Sequence, residues 1–375
     1  MRRTILLCLY LCLLAFPAGA HKPSDSYLNL RVEGTRVLGQ WDIALRDLDY
    51  AMGLDGNGDG AITWGELRAR ETEVTAYAMP RLKLRSDGLE CTPRPTGYLV
   101  DNHTDGAYAV LRFAADCAMA PGVVEVNYNL FFDLDPQHRG LLRFESAGKT
   151  RTAIFSPAQT SQRLEPEGGN PFAQFLEFGR EGVWHIWIGF DHILFLLTLL
   201  LPAVLERRDG QWKMVNEFRP ALVNVLKIVT AFTVAHSITL TLATLGVVQL
   251  SSRWVESAIA VSVILAALNN LYPLVTKKLW IIAFAFGLIH GFGFASVLAD
   301  LDLPQQALLL ALVGFNLGVE VGQLAIVCAF FPLAFWLRDS WFYRKAALVG
   351  GSVLVAVVGS VWLAERLFDL RVLAF

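Results

Sequence analysis

Long apolar runs fill the second half of the chain. Each run carries few charges, and the six lie at 183–205, 221–248, 254–275, 279–299, 306–337 and 345–367. Because a helix rises about 1.5 Å per residue, each run is long enough to cross a hydrocarbon layer of about 30 Å. The pattern predicts a six-helix transmembrane domain over residues 181–368, followed by a short tail at 369–375.

Residues 21–158 have a different pattern, in which apolar and polar positions alternate over short runs. Runs at 27–32 and 37–43 flank a Glu33-Gly34 turn and predict a hairpin. Helices are expected at 44–54 and 67–78, and further strands at 82–84, 98–100, 107–113, 123–132, 141–144 and 152–155. Short strands separated by turns favour a β-sandwich. With a Pro- and Gly-containing linker at 159–180, the predicted fold class is α+β.

The first 20 residues have the features of a secretory signal peptide. Arg2 and Arg3 precede an apolar core at 5–16, and Ala18-Gly19-Ala20 has the A-x-A form of a cleavage site. The β-rich domain is therefore expected to be exported.

Basic residues in alternate loops predict the orientation of the membrane domain. They are Arg207, Arg208, Lys213, Arg219, Lys277, Lys278, Arg338, Arg344 and Lys345. Loops rich in lysine and arginine stay in the cytoplasm. The β-rich domain and the C-terminal tail then lie on the outer side, which agrees with the signal peptide. We expect a multi-pass protein of the cell (inner) membrane, with both of these parts periplasmic or extracellular.

Composition supports a membrane protein and gives no argument for a nucleic-acid partner. The chain is 54% hydrophobic and 18% charged, its net charge is -2, and its mean hydropathy is +0.44. Membrane lipid is thus an expected partner. Cys91 and Cys117 fall in the exported domain, where they most simply form a disulfide; metal ligation by the two thiols is the alternative.

One acidic, glycine-rich segment at 55–66 matches the EF-hand calcium loop. The predicted ligands are Asp55, Asn57, Asp59, Ala61 (through its carbonyl), Thr63 and Glu66. Gly60 stands where that loop makes its sharp turn. Since calcium sensors usually pair such loops, a single exported loop indicates bound Ca²⁺ as a structural staple. The alternative is an acidic turn that holds no ion.

Four of the seven histidines fall in the apolar runs: His185, His192, His236 and His290. On a continuous helix His185 and His192 lie two turns apart on one face, with Asp191 beside His192. Ionisable groups are costly in lipid, so they indicate a functional site. His103 and His138 lie in turn-like segments of the exported domain and are predicted to be solvated.

Polar residues on the fifth run extend this cluster. Asn316, Glu320 and Gln323 share one helix face. Imidazole together with carboxylate suits Ni²⁺, Co²⁺, Zn²⁺ or Cu²⁺. The predicted membrane metal site comprises His185, Asp191, His192, His236, His290 and Glu320. The alternative is that each polar group bonds a neighbouring helix.

His21 is a second, exported candidate for metal binding. Cleavage after Ala20 would leave its α-amine and imidazole free to chelate one cation together. An ordinary frayed terminus is the alternative.

Several motifs resemble those of the HupE/UreJ group of membrane proteins, in particular its branch with an exported N-terminal domain. They are Gly189-Phe190-Asp191-His192, the segment 232–237, His290-Gly291-Phe292-Gly293-Phe294-Ala295 and the opening segment 21–28. The resemblance implies a permease for a divalent metal such as nickel. His185, Asp191 and His192 would be ligands from the first helix, supported by His236 and His290. A cytoplasmic metallochaperone is a candidate partner.

Two other functions fit the same residues. Three histidines with an open fourth position would also suit an intramembrane zinc hydrolase. A membrane-anchored metal sensor is the other possibility. A transporter rather than an enzyme is expected, and the absence of a Walker motif means that ATP drive would need a partner.

Overall fold

The computed structural model describes residues 25–103, 106–165, 171–208, 211–295 and 305–368. Within these ranges a β-rich N-terminal region precedes a helical C-terminal region, which confirms the mixed α+β class. The predicted signal peptide, His21 and the tail at 369–375 lie outside the described residues.

Ten strands of the N-terminal region form two sheets. In chain order they are β1 (Asp25–Glu33), β2 (Arg36–Ala44), β3 (Leu82–Ser86), β4 (Leu89–Cys91), β5 (Pro93–His103), β6 (Gly106–Asp116), β7 (Val124–Tyr128), β8 (Arg139–Ser146), β9 (Lys149–Phe155) and β10 (Ser161–Leu164). Helices α1 (Leu45–Met52), α2 (Trp64–Ala69) and α3 (Glu71–Ala78) lie between β2 and β3. One sheet has the order β5-β6-β2-β1-β8-β9 and the other β10-β7-β3-β4. All pairs are antiparallel except β1 with β8.

Side-chain alternation gives the six-stranded sheet two buried faces. Leu28 and Trp41 point toward the four-stranded sheet, where they share one core with Leu84 and Val126. The residues next to them in the pleat point to the opposite face, because successive strand residues alternate. Those residues pack against the helical region as one apolar cluster, which includes Tyr27, Tyr108, Leu141 and Ile154 from the sheet and Phe178, Ile186 and Phe315 from the helices.

The predicted disulfide is confirmed. Cys91, at the end of β4, is bonded to Cys117, which follows β6, and their Cα atoms are 4.7 Å apart. The bond joins the two sheets. Closing the 26-residue separation is worth about 3–4 kcal/mol in the chain-entropy model.

His103 and His138 were predicted to be solvated, but both side chains are largely buried. His138 is 0% exposed and bonds the Tyr128 hydroxyl at 2.6 Å. The His103 ring stacks on Tyr27 and contacts the Asp42 carboxylate at 3.2 Å. The turn-like sequence around each residue gave no sign of these long-range partners.

The helical region contains α4 (Pro171–Ile188), α5 (Phe190–Leu200), α6 (Phe218–Thr244), α7 (Ser252–Leu271), α8 (Leu279–His290), α9 (Gln305–Leu337) and α10 (Gly351–Phe368), with a hairpin of β11 (Leu205–Arg208) and β12 (Gln211–Met214) between α5 and α6. A π-helical segment, Phe342–Gly350, leads into α10. Over the described residues four helices are long and apolar enough to cross a membrane, or five if the bent α4–α5 pair counts as one span. The predicted count of six is therefore not confirmed.

The predicted linker at 159–180 is largely structured. Residues 161–164 form β10, which pairs with β7, and α4 begins at Pro171. The polar side chains of α4, which are typical of a solvated linker, instead form hydrogen bonds with the β-rich domain. These bonds join Gln174 to Thr152 (3.1 Å), Glu177 to the Ile154 N–H (2.9 Å) and Glu181 to Arg139 (3.4 Å).

Candidate metal site

The first predicted span is broken at Gly189. Helix α4 ends at Ile188, α5 begins at Phe190, and the pair is bent by 70°. A Cβ at position 189 would lie 2.8 Å from both the His185 carbonyl oxygen and the His192 Nδ1. Glycine is therefore required by close approach. The prediction of one continuous helix over 183–205 is wrong here, because it assumed unbroken 3.6-residue periodicity.

His185 and His192 do not share a helix face; the bend between the two helices brings them together. Their ring centroids are 4.6 Å apart. His236 from α6 lies 6.4 Å from His185 and 6.3 Å from His192, and His290 from α8 lies 5.4 Å from His192. Asp191 Oδ1 is 3.1 Å from His192 Nδ1. Five of the six predicted membrane ligands thus converge.

Two sets of ligand atoms are close enough to hold one ion each. The first set is His185, His192 and His236, and the second is Asp191, His192 and His290; within each set the ligand atoms lie within 4.8 Å of one another. His192 belongs to both sets, so it is the centre of the cluster. Neutral imidazole with one carboxylate is a donor set that transition metals favour over alkali ions.

Imidazole nitrogens in this cluster are buried without hydrogen-bond partners. They are His185 Nε2, His192 Nε2, His290 Nδ1 and both ring nitrogens of His236. Buried polar atoms usually find partners, so a concentration of exceptions requires an explanation. The other nitrogens of two rings are held: His192 Nδ1 by Asp191 and His290 Nε2 by the Ser262 hydroxyl at 2.9 Å. Fixing one nitrogen and leaving the other free is the arrangement of metal-bound histidines.

Close-packed helices set the positions of His236 and His290. Gly287 of α8 and Gly291, which follows that helix, face the backbone of α6. A Cβ at Gly287 would lie 2.5 Å from the Phe232 carbonyl oxygen. On the other side of the site, Gly182 of α4 and Gly318 of α9 lie against each other's helix in the same way. Small residues of this kind let helices approach closely in a membrane.

Two aromatic rings lie between the imidazole cluster and the β-rich domain. Phe294 and Phe315 stack with centroids 4.4 Å apart, and they lie 4.8 and 5.3 Å from the His185 ring. Both rings belong to, or pack against, the apolar cluster that contains Tyr27 and Tyr108 of the six-stranded sheet. The β-rich domain therefore covers the end of the bundle at which His185 lies.

On the opposite side of the cluster, a small cavity is lined by His192, Phe195, Leu196, Leu199, Ile228, Val229, Phe232 and Gln323. The Phe195 and Phe232 rings are 5.3 Å apart and both contact His290. Gln323 is the polar group here, and it accepts a hydrogen bond from Thr233 at 2.8 Å. Apolar side chains thus flank the imidazoles on both sides.

Glu320 is not part of this cluster. Its carboxylate accepts a 2.8 Å hydrogen bond from Thr230 on a partly exposed surface, and neither set of ligand atoms found in the described residues includes it. Its face-mates lie closer to the site, since Asn316 is beside His236 and Gln323 lines the cavity at His192. Helical spacing indicated the right face of α9 but not which residue on it reaches the imidazoles.

Ser262 and the Phe294–Phe315 pair were missed by sequence reasoning. Ser262 lies in an apolar run of α7, where a single hydroxyl commonly bonds its own helix. Only the position of α8 shows that it also holds His290.

The predicted calcium loop connects α1 to α2 and is closed by its own hydrogen bonds. Asp55 accepts from the N–H groups of Gly58 (2.7 Å) and Gly60 (2.8 Å), and Glu66 accepts from those of Gly56 (3.1 Å) and Thr63 (2.9 Å). The Gly60 N–H holds the pKa of Asp55 below its usual value, and the Thr63 N–H does the same for the pKa of Glu66.

Asn57 and Asp59, two other predicted ligands, accept hydrogen bonds from backbone N–H groups of the loop. Asn57 Oδ1 accepts from the Asp59 N–H at 2.8 Å, and Asp59 Oδ1 from the Ala61 N–H at 2.9 Å. Gly58 and Gly60 have φ of +72° and +84°, which glycine adopts readily. In the described part of the chain, the loop's three carboxylates do not form a set within 4.8 Å. The oxygen-rich donor set nevertheless has the chemistry that Ca²⁺ prefers.

Fold and site together define a multi-pass membrane protein with an N-terminal β-rich domain and a buried imidazole–carboxylate cluster. The sequence model of a family described as "HupE / UreJ protein" matches residues 160–366, which is more than half of the 375-residue chain. The chain therefore belongs to the HupE/UreJ family, which is associated with nickel and cobalt transport. No curated protein matches the chain.

Proposed function

We propose that this protein is a permease that imports a divalent transition-metal ion, such as nickel, through the cluster of His185, Asp191, His192, His236 and His290. The observation that carries the proposal is the set of buried imidazole nitrogens that face one another without hydrogen-bond partners. Such atoms are costly unless a ligand joins them. Ni²⁺, Co²⁺, Zn²⁺ and Cu²⁺ are the cargoes that this donor set suits.

The two overlapping ligand sets suggest how an ion would move. His185 lies next to Phe294 and Phe315, on the side that would face outward, so it would receive the ion first. His192 belongs to both sets and would pass the ion to Asp191 and His290. Sharing one ligand between two sites keeps either site from holding the ion too tightly, which conduction requires.

Movement at the two aromatic barriers would expose the site to each side in turn. Phe294 and Phe315 lie on one side of the cluster, and Phe195 and Phe232 lie on the other. Under the positive-inside rule the latter side would face the cytoplasm, where a metallochaperone could receive the ion. The conformation described here would be an occluded one.

In this proposal the loop at 55–66 holds Ca²⁺ and stiffens the exported domain. It connects α1 to α2, and its flanking residues Leu54 and Leu67 belong to the core of the β-rich domain, so the ion would stabilise that domain without entering the transport path. Asp55, Asn57, Asp59, Ala61, Thr63 and Glu66 would supply the oxygens.

Metal uptake by cells tests the proposal. Cells that express the wild-type chain should accumulate Ni²⁺ or Co²⁺, measured by elemental analysis, whereas His192→Ala and His290→Ala should return accumulation to the level of cells without the protein. Ser360→Ala is a matched control, because the Ser360 hydroxyl bonds only its own helix at Ala356. All variants must be present in the membrane in equal amounts.

Unchanged uptake in both histidine variants would refute the permease. If purified protein then lost a bound zinc ion and a hydrolytic activity in the same variants, an intramembrane zinc hydrolase would replace it. Removal of the exported domain with no loss of flux would argue against a metal sensor whose working part is that domain.

A further inference from the structure

Two charged side chains lie deep within the spans but outside the imidazole cluster. Lys227 lies on α6 about 13 Å along the axis from Phe218, and Thr230, which bonds Glu320, lies about 18 Å along it, at 1.5 Å per residue. Lys227 and Thr230 are exposed, and Glu320 of α9 is partly exposed. We call the surface formed by Lys227, Thr230 and Glu320 the Lys227–Glu320 patch.

Glu320 has too little support for a carboxylate in lipid. Its carboxylate accepts a hydrogen bond from the Thr230 hydroxyl, and no ion pair joins it to a cation among the residues that the structure describes. A hydroxyl donates one hydrogen bond but does not neutralise the charge. Lys227 lies one turn from Thr230 on the same face of α6, since positions i and i+3 are neighbours. It likewise has no ion-pair partner in the described ranges.

Apart from the exposed Asn224, one turn before Lys227, the surroundings of the patch are apolar and face outward. Val223, Leu226 and Val234 of α6 are 49, 36 and 48% exposed, and Leu317 and Val321 of α9 are 53 and 50% exposed. Lipid tails would cover these residues but cannot pair a carboxylate. A lysine can extend its ammonium toward the membrane surface, whereas the short glutamate side chain held at Thr230 cannot reach that far. The carboxylate therefore needs a protein partner.

We infer that the Lys227–Glu320 patch is the interface with a second copy of this chain. The patch carries one positive and one negative group, so it is self-complementary under a twofold axis: Lys227 of each protomer would face Glu320 of its partner. Closed homodimers use the same surface twice in this way. Polar groups at helix interfaces commonly join helices in membranes, and the surrounding apolar side chains would exclude lipid from the two ion pairs.

Charge reversal with co-expression tests the pairing. Two copies with different tags are expressed together, extracted in polymer-bounded lipid discs and captured by one tag. Wild-type chains should capture each other. Lys227→Glu with itself, and Glu320→Lys with itself, should lose capture by about tenfold or more, since like charges across an interface cost several kcal/mol and 1.4 kcal/mol is tenfold.

The mixed pair is the decisive sample. When Lys227→Glu chains meet Glu320→Lys chains, both contacts across the axis again join opposite charges, so capture should return toward the wild-type level. An ion pair within one chain could not produce this rescue. Lys277→Glu, a reversal in an exposed loop, should leave capture unchanged. The inference is overturned if wild-type chains do not capture each other, or if the mixed pair is captured no better than each variant with itself.

Cross-linking provides a second measurement that changes no charge. In a Cys328→Ala background, which removes the exposed free cysteine, Thr230→Cys should form covalent dimers with a short bis-maleimide in intact membranes. Leu265→Cys on α7, where Leu265 is 50% exposed, should not. Equal cross-linking at both positions, or none at Thr230→Cys, would contradict the interface. Because the imidazole cluster is untouched, metal uptake and dimer formation can fail independently.

Discussion

The imidazoles of His185 and His192 lie 4.6 Å apart although the two residues belong to different helices. The bend at Gly189 creates this contact. It also directs α4 toward the six-stranded sheet, while α5 enters the helical bundle. The imidazole cluster therefore lies where the chain changes direction, next to the β-rich domain that packs on α4. His185 is one turn from Glu181, which contacts Arg139 of that domain.

Gly189→Ala should disrupt the cluster. The added methyl would lie 2.8 Å from the His185 carbonyl oxygen and from His192 Nδ1, and overpacking of this kind costs about 1–3 kcal/mol. We expect a lower thermal midpoint and a marked loss of metal bound per chain, measured by elemental analysis of purified protein. Gly350→Ala, whose nearest new contact is 3.7 Å, should change neither. Normal metal content in Gly189→Ala would contradict the role of the bend.

Asp191→Asn should weaken metal binding while the fold is retained. Asparagine keeps the size of the side chain but removes the one carboxylate beside His192. Loss of a carboxylate that orients a metal-bound histidine typically costs 10–100-fold in affinity, and we expect a loss in about that range for Co²⁺ in a calorimetric titration of the full-length protein. Asp339→Asn, on an exposed turn, should bind as the wild type does. Equal affinities in the two variants would remove Asp191 from the site.

Calcium should raise the thermal stability of the wild-type protein, and Glu66→Gln should remove that response. Glutamine cannot supply the two charged oxygens that close an EF-hand loop. Glu66 also caps α2 together with Thr63, so its replacement lowers stability without any ion. The relevant quantity is therefore the difference between midpoints with and without Ca²⁺ in each variant. Glu71→Gln, outside the loop, should keep the full difference; a calcium response that persists in Glu66→Gln would refute the site.

The β-rich domain should lose stability as the pH falls below about 6.5. Burial lowers the pKa of His138 to about 3, helped by Arg139 and Arg46. In the unfolded state this histidine binds a proton near pH 6.5, whereas in the folded state it stays neutral. Because the unfolded state binds more protons, the free energy of unfolding decreases as the pH decreases. The loss at pH 4.5 should be on the order of 3 kcal/mol, at about 1.4 kcal/mol per pH unit.

Hydrogen exchange of β7 and β8 in the full-length protein measures this loss locally. Protection of these strands should decrease between pH 6.5 and pH 4.5, after correction for the intrinsic exchange rate. His138→Gln removes the titrating group and should show a smaller decrease over the same interval. The assignment to His138 fails if the two proteins lose protection equally.

Local signals in the sequence were sufficient where a property depends on neighbouring residues. Alternation along residues 27–43 predicted the β1–β2 hairpin, which the structure contains. Apolar runs predicted α6, α7 and α9, and two exported cysteines predicted their disulfide. The predicted linker at 159–180 is a segment for which local signals were not sufficient. Gln174, Glu177 and Glu181 resemble solvated linker residues, yet each has a partner in a sheet that is distant in sequence.

The sequence by itself determined which chemistry is present: imidazoles and the acids Asp191 and Glu320 placed in apolar runs, where their cost indicates a functional role. The tertiary structure alone decided which of those groups meet. A break of one residue at Gly189 joins His185 to His192, and the packing of α9 on α6 brings Gln323 to the cluster and leaves Glu320 on the outer surface. Spacing along a helix defines a face, but the neighbour of that face is set by helices packed from elsewhere in the chain.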